Sequence, residues 1–205
     1  MTEAGADLVI GIGNPLRGDD GVGWWLTERA EQLPRATSTG SPLLVRTVQQ
    51  LTPELAAELT AARRVLFIDA WWPPGPGTGV RQARERSEAL EAGGDGGSGA
   101  ALAATASNGR PALPPSPRLQ RLDALTPEHR PAINEEGSFS HHLDPARLLA
   151  ITALLYGAAP QGWQLLVPVF AMPHGQGLSL PLRQLLPAAE AQLRHWLAAA
   201  PATDA

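Results

Sequence analysis

The 205-residue chain contains no cysteine and no lysine. Without thiols, disulfides, thiolate metal sites and a cysteine nucleophile are excluded. Without lysine, a Walker-type phosphate loop is excluded, and every side-chain cation other than a protonated histidine is arginine. No G-x-S-x-G is present, so the elbow of a serine hydrolase is not available. Hydrophobic residues make up 43% of the chain, yet no apolar run approaches the roughly 18 residues needed to span a bilayer. No basic segment followed by an apolar one stands at the N-terminus, so no signal peptide is expected. The net charge of −4 disfavours nucleic acid and anionic membranes as partners. These absences leave a cytoplasmic globular protein, read as a single domain over residues 1–205 and long enough to bury a core.

What is present concentrates in residues 9–23, V-I-G-I-G-N-P-L-R-G-D-D-G-V-G. An apolar run at 8–12 predicts a buried strand. Residues 9–23 hold five glycines, four of them after that run, so the chain bends sharply and lets something approach closely. The side chains left for chemistry there are Asn14, Arg17, Asp19 and Asp20. A helix is expected from about residue 20 to 33, with Val22, Trp25, Leu26, Ala30 and Leu33 on one face.

Residues 43–48 predict a second strand. Thr52 as N-cap with Pro53 at the first helical position predicts a helix to about residue 62, with Leu55, Ala56 and Leu59 facing inward. The wholly apolar run at 65–68 predicts a central parallel strand ending in Asp69, and the Trp71-Trp72-Pro73-Pro74-Gly75 sequence breaks the pattern. A short strand is expected at 79–82. From 91 to 136, Gly, Ala, Ser and Pro dominate, and this stretch reads as a low-complexity insertion, a disordered or loosely packed loop. Asp144-Pro145 marks a helix start, with Leu148, Leu149, Ile151, Leu154 and Leu155 as its buried stripe and Gly157 at its close. A last strand is expected at 163–170 and a C-terminal helix at about 182–197, kinked or restarted by Pro187.

Strands alternating with helices define an α/β fold: a three-layer αβα sandwich, with a mostly parallel twisted sheet of about five strands and helices on both faces. Ligands in such folds sit beyond the carboxyl ends of the strands. Asp20 (with Asp19), Asp69 and the His141/His142 pair collect there. Two carboxylates and an imidazole suit a divalent cation such as Ni²⁺ or Zn²⁺, and equally supply acid/base groups for hydrolysis. Plainer roles stand beside these: Asp19 as helix N-cap, Asp20 as a complement to the helix dipole, Asp69 as a turn former, a histidine as a polar neighbour of a helix start.

A dinucleotide loop is the competing motif, and it fails on three counts. Leu16 stands where the third glycine belongs, the second strand ends in Thr47-Val48-Gln49-Gln50 with no acid for a ribose, and Asp19 and Asp20 would repel a pyrophosphate.

The opening motif G-I-G-N-P-L-R-G-D-D-G-V-G resembles the signature of the nickel–iron hydrogenase maturation endopeptidases. F-I-D-A at 67–70 is similar to that family's second acidic motif, H-x-L at 141–143 to its histidine motif, and G-L-S-L-P at 177–181 to the segment before its final helix. The resemblance covers nearly the whole chain except residues 91–136.

It implies an endopeptidase that removes a C-terminal extension from the precursor of a hydrogenase large subunit after nickel insertion. By motif, Asp20, Asp69 and His141 would be both the catalytic and the nickel-contacting residues, with His142 one residue out of register. The nickel would arrive with the precursor rather than be held permanently. The other function classes are a precursor-binding chaperone that does not cut and a nucleotide-binding domain. Trp71 and Trp72 read as a docking surface or as core, with core favoured for one of them.

Overall fold

A computed structural model describes residues 5–33, 41–73, 115–122, 143–175 and 177–199. The chain divides into two units, Met1–Trp71 with Ser116–Ala205, and Trp72–Pro115. Almost all of the second unit lies outside the described residues, as do the strand expected at 79–82, His141 and His142. The fold described below is that of the first unit.

β1 (Ala6–Ile12) is buried along its whole length, with the apolar run at 8–12 suited to a strand covered on both faces and Asp7 as its one charged residue. A 3₁₀ turn (Gly18–Gly21) leads into α1 (Val22–Gln32). β2 (Leu43–Val48), α2 (Leu55–Leu59) and β3 (Ala62–Trp71) follow. β4 (Arg118–Leu122), α3 (Pro145–Tyr156), β5 (Gln161–Pro168) and α4 (Leu180–Ala198) complete the described elements. The sheet order is β2-β1-β3-β5-β4, parallel throughout except for β4, which runs antiparallel to β5.

Alternation along the strands divides the core into two layers. Val9, Leu66, Ile68, Leu165 and Val167 face α1 and α4, where Leu26, Leu193 and Trp196 pack. Leu8, Ile10, Val65 and Phe67 face α2 and α3, against Leu55, Leu59, Leu148 and Leu149. Helices therefore cover both faces of a five-stranded sheet, as expected.

The departures are local and have physical causes. Within the stretch read as an insertion, Arg118–Leu122 forms the edge strand β4. Leu119 and Leu122 anchor it to the two core layers, and the Arg118 guanidinium lies 4.9 Å from the Trp71 ring centroid. Partners contributed by β5 outweigh a locally polar composition.

Thr52 and Pro53 do not cap and open α2 as expected. They form a turn in which Leu55 N donates to Thr52 O and Ala56 N to Pro53 O, and the short α-helix has Glu54 as N-cap. β3 runs on through Trp71, two residues past Asp69. Of the stripe expected on α3, Leu148 and Leu149 are fully buried, but Leu154 and Leu155 are 83% and 64% exposed; Thr152 and Ala146 take the inward positions instead. Asp144 does cap α3, accepting from Arg147 N at 2.8 Å, and Gly157 closes it at φ 81°. Pro187 lies inside an uninterrupted α4, whose N-cap is Ser179.

A buried ion pair ties the amino-terminal edge of the sheet to the end of the last helix. Arg64, 1% exposed, donates to both carboxylate oxygens of Asp7 at 2.9 and 2.7 Å. Its remaining nitrogen donates to the carbonyls of Trp196 and Ala199 at 3.1 and 2.7 Å, and its plane lies 4.2 Å from the Trp196 ring centroid. Arg63 adds a second guanidinium, 2.6 Å from Asp7. Burial alone would raise the Asp7 pKa, but hydrogen bonds and charge from Arg64 and Arg63 prevail and hold it below the usual carboxylate range.

Asp7→Asn strands a buried guanidinium and is expected to cost about 3 kcal/mol in urea unfolding at pH 7. Because the folded pKa lies below the unfolded one, this stabilisation is present above about pH 4 and is lost as pH falls through the folded value. The gap between wild type and variant should therefore close in acid.

Candidate active site

The loop after β1 is shaped by what it must avoid. Gly13 N donates to Val48 O at 3.0 Å, and Gly13 itself sits at φ 128°, where a Cβ would lie 1.9 Å from the Asp20 carbonyl oxygen. Only glycine fits there. The chain then folds back through Asn14, whose side-chain oxygen accepts from Leu16 N at 2.9 Å, and returns to place Asp20 above the end of β1. Asp20 Oδ2 accepts from Asn14 N at 3.1 Å and lies 3.9 Å from the Arg17 guanidinium; its side chain keeps 20% exposure.

Asp69 reaches the same place from β3. It shares a sheet face with Val65 and Phe67 and extends that face past the core. Asp20 and Asp69 line one cleft of about 330 Å³, together with Ile12, Gly13, Gln49, Gln50, Leu51, Gln164 and the N-terminus of α3 at residues 143–145. The cleft opens at the carboxyl ends of the adjacent parallel strands β1 and β3, where the strand order turns from β2 on one side to β5 on the other, the position at which open α/β sheets bind ligands.

The two carboxylates differ in support. Burial raises the Asp69 pKa to about 6, a backbone hydrogen bond from Ala70 opposes the rise, and the charge of Asp20 adds to it. Such a pair of acids favours a proton or a cation between them. Their chemistry fits a divalent metal offered from outside, although no group of three metal-ligating side chains comes together among the described residues. The third expected member, His141, and its neighbour His142 lie outside the described residues, immediately before the cleft-lining Leu143.

Asp19 has a different role from the N-cap expected of it. It is fully buried, and its carboxylate accepts from Phe170 N, Ala171 N, Ser179 N and Ser179 Oγ at 2.6–3.0 Å. The α1 N-cap is Gly21, with no side-chain bond. Nothing local signals this, since its partners lie 151 to 160 residues later. Gln49, Gln50 and Gln164 line the cleft without a motif in the sequence to mark them. Trp71 is partly buried beneath Arg118, while Trp72 is 57% exposed.

The five-stranded sheet with helices on both faces matches the fold of solved hydrogenase maturation proteases. Three solved structures carry the comparison. The hydrogenase maturating endopeptidase HybD from E. coli superposes with a TM-score of 0.54 at 15% identity, over 94% of this chain and 91% of that one. An endopeptidase from Escherichia coli gives 0.52 at 18% identity, over 98% and 99%. The [NiFe] hydrogenase maturation protease HybD from Thermococcus kodakarensis gives 0.51 at 14%, over 94% and 99%. At these identities the likeness is one of fold. No protein-family model matches the chain, and no curated protein matches it in sequence. Among the described residues, no helix is long and apolar enough to cross a membrane.

The raised Asp69 pKa makes a stability prediction. A carboxyl whose folded pKa lies above its unfolded value of 3.8 favours the fold when protonated, and that contribution is lost as pH rises through about 6. Asp69→Asn should therefore stabilise the protein at pH 7.5, by at most about 2–3 kcal/mol, and leave it nearly unchanged at pH 4. Thermal melts at the two pH values check this.

Proposed function

We propose that the protein is an endopeptidase that removes a C-terminal extension from the nickel-loaded precursor of a nickel–iron hydrogenase large subunit. The observation that carries this reading is the meeting of Asp20 and Asp69, from two separate strand ends, in one cleft on a chain with the maturation-protease fold. Its support from sequence is the opening motif and the H-x-L motif at 141–143.

In this reading Asp20, Asp69 and His141 meet a metal that belongs to the substrate. Two carboxylates and one imidazole complete the shell of an ion already held by the precursor, so a precursor without nickel offers no anchor. The cleft is lined by the side chains of Gln49, Gln50 and Gln164, whose amides can hydrogen-bond the backbone of an extended tail. Hydrolysis requires a proton to leave the attacking water and another to reach the departing amine. A carboxyl with a pKa near 6, such as Asp69, exchanges protons in that range.

Incubation with nickel-loaded and nickel-free precursor, read by mass spectrometry, tests the proposal. Loss of a C-terminal peptide from the loaded form alone is the expected result. Equal cleavage of both forms would remove the metal check, and binding without shortening would make the protein a chaperone. Tight binding of NAD or ATP by calorimetry would instead favour a nucleotide-binding domain. Asp20→Asn, Asp69→Asn and His141→Ala should each slow cleavage by about 10²-fold or more. Inactivity of His142→Ala with an active His141→Ala would shift the histidine by one residue.

A further inference from the structure

Asp20 is lightly held. One backbone N–H reaches its carboxylate at 3.1 Å, Arg17 stands 3.9 Å away, and the residue sits on a four-residue 3₁₀ turn whose two ends are glycines. The residue beside it is among the most firmly held in the protein. Four donors from residues 170, 171 and 179 converge on the two oxygens of Asp19, and its own N–H donates to Ala171 O at 3.0 Å. Gly175 N donates to Leu16 O at 3.0 Å, fastening the start of the same loop to the same distant segment. A Cβ on Gly18 would lie 2.9 Å from Pro173 Cδ and 3.0 Å from Ala171 O, so the turn also packs closely against that segment.

We propose that Asp19 is a positioning residue: by clamping the turn to the segment between β5 and α4, it holds the Asp20 carboxylate in place at the cleft. The proposal rests on the assignment of Asp20 to the cleavage site. One peptide unit separates the clamp from Asp20, so a shift of the clamp moves Asp20 directly. The acceptor capacity matched to four converging donors is that of a carboxylate. In Asp19→Asn, an amide NH₂ must face at least one of those donors, and the turn loses its fit without losing side-chain volume. Ser179→Ala is milder: it keeps all three backbone donors and removes only the hydroxyl.

The test measures kcat on nickel-loaded precursor well below the melting temperature of each variant, alongside amide hydrogen exchange at Asn14, Arg17 and Asp20. Asp19→Asn is expected to lower kcat by about 10–100-fold while remaining folded, as a displaced reacting group does. Exchange at those three amides should rise by about 10-fold, with Leu148 and Leu149 in α3 unchanged as a control for global opening. Ser179→Ala should move both readouts in the same direction by less.

A folded Asp19→Asn with wild-type kcat, or with unchanged exchange at Asn14, overturns the proposal. If Asp19→Asn does not fold, Ser179→Ala decides: reduced kcat in the folded variant supports the clamp, and wild-type kcat overturns it. If the wild-type protein does not cut the precursor, the function assigned above fails, while the exchange measurement still decides whether Asp19 holds the turn.

Discussion

The closeness of α1 to the sheet sets the terms for the rest of the molecule. A Cβ on Gly23 would lie 2.3 Å from Ile12 O and 2.8 Å from Ile68 O, and one on Gly11 would lie 2.2 Å from Thr27 Oγ1. Helix and strand touch backbone to backbone, with no side chain between them. The residues that join them therefore cannot span a gap; they must loop upward and come back. That excursion lifts Asp20 above the strand ends, beside Asp69, and leaves Gly13 beneath it. Bulk at position 11 or 23 would push α1 away from β1 and β3 together, so the cleft and the upper core layer share one cause.

Four aspartates show how environment sorts one side chain into different roles. Asp7 meets two guanidiniums, and charge compensates its burial. Asp19 meets four hydrogen-bond donors, and geometry compensates it. Asp20 is partly exposed and retains contact with water. Asp69 has one backbone hydrogen bond, with another carboxylate as a neighbour, and its pKa is raised accordingly. The first two contribute to the fold. The last is unfavourable to the fold when ionised, and a carboxylate left in that condition is a common mark of a functional site.

The sheet and its two helical layers were legible because they follow from hydrophobic period and from punctuation by Asp-Pro and Gly. Asp20 and Asp69 were legible as cleft residues because chain order in a parallel sheet places strand ends together. Three things were not. β4 carries its apolar residues at Leu119 and Leu122, out of strict alternation, and it becomes a strand through β5. Leu154 and Leu155 continue the apolar pattern of α3 past the point where anything packs on it, so periodicity overestimates the buried face. The partners of Asp19 lie on the far side of the sequence, and a buried acid looks locally the same as a helix cap.

The stacking of Arg118 on Trp71 bears on how this chain tolerates change. The two residues stand just outside the ends of the segment 72–115, and both belong to the sheet: Trp71 ends β3 and Arg118 begins β4. The chain leaves and re-enters the first unit at nearly one point. Closing a loop between fixed ends costs only about 0.6 kcal/mol for each doubling of its length. By loop-closure entropy alone, a change in the length of the segment would therefore cost little at a junction where Trp71 and Arg118 already lie side by side.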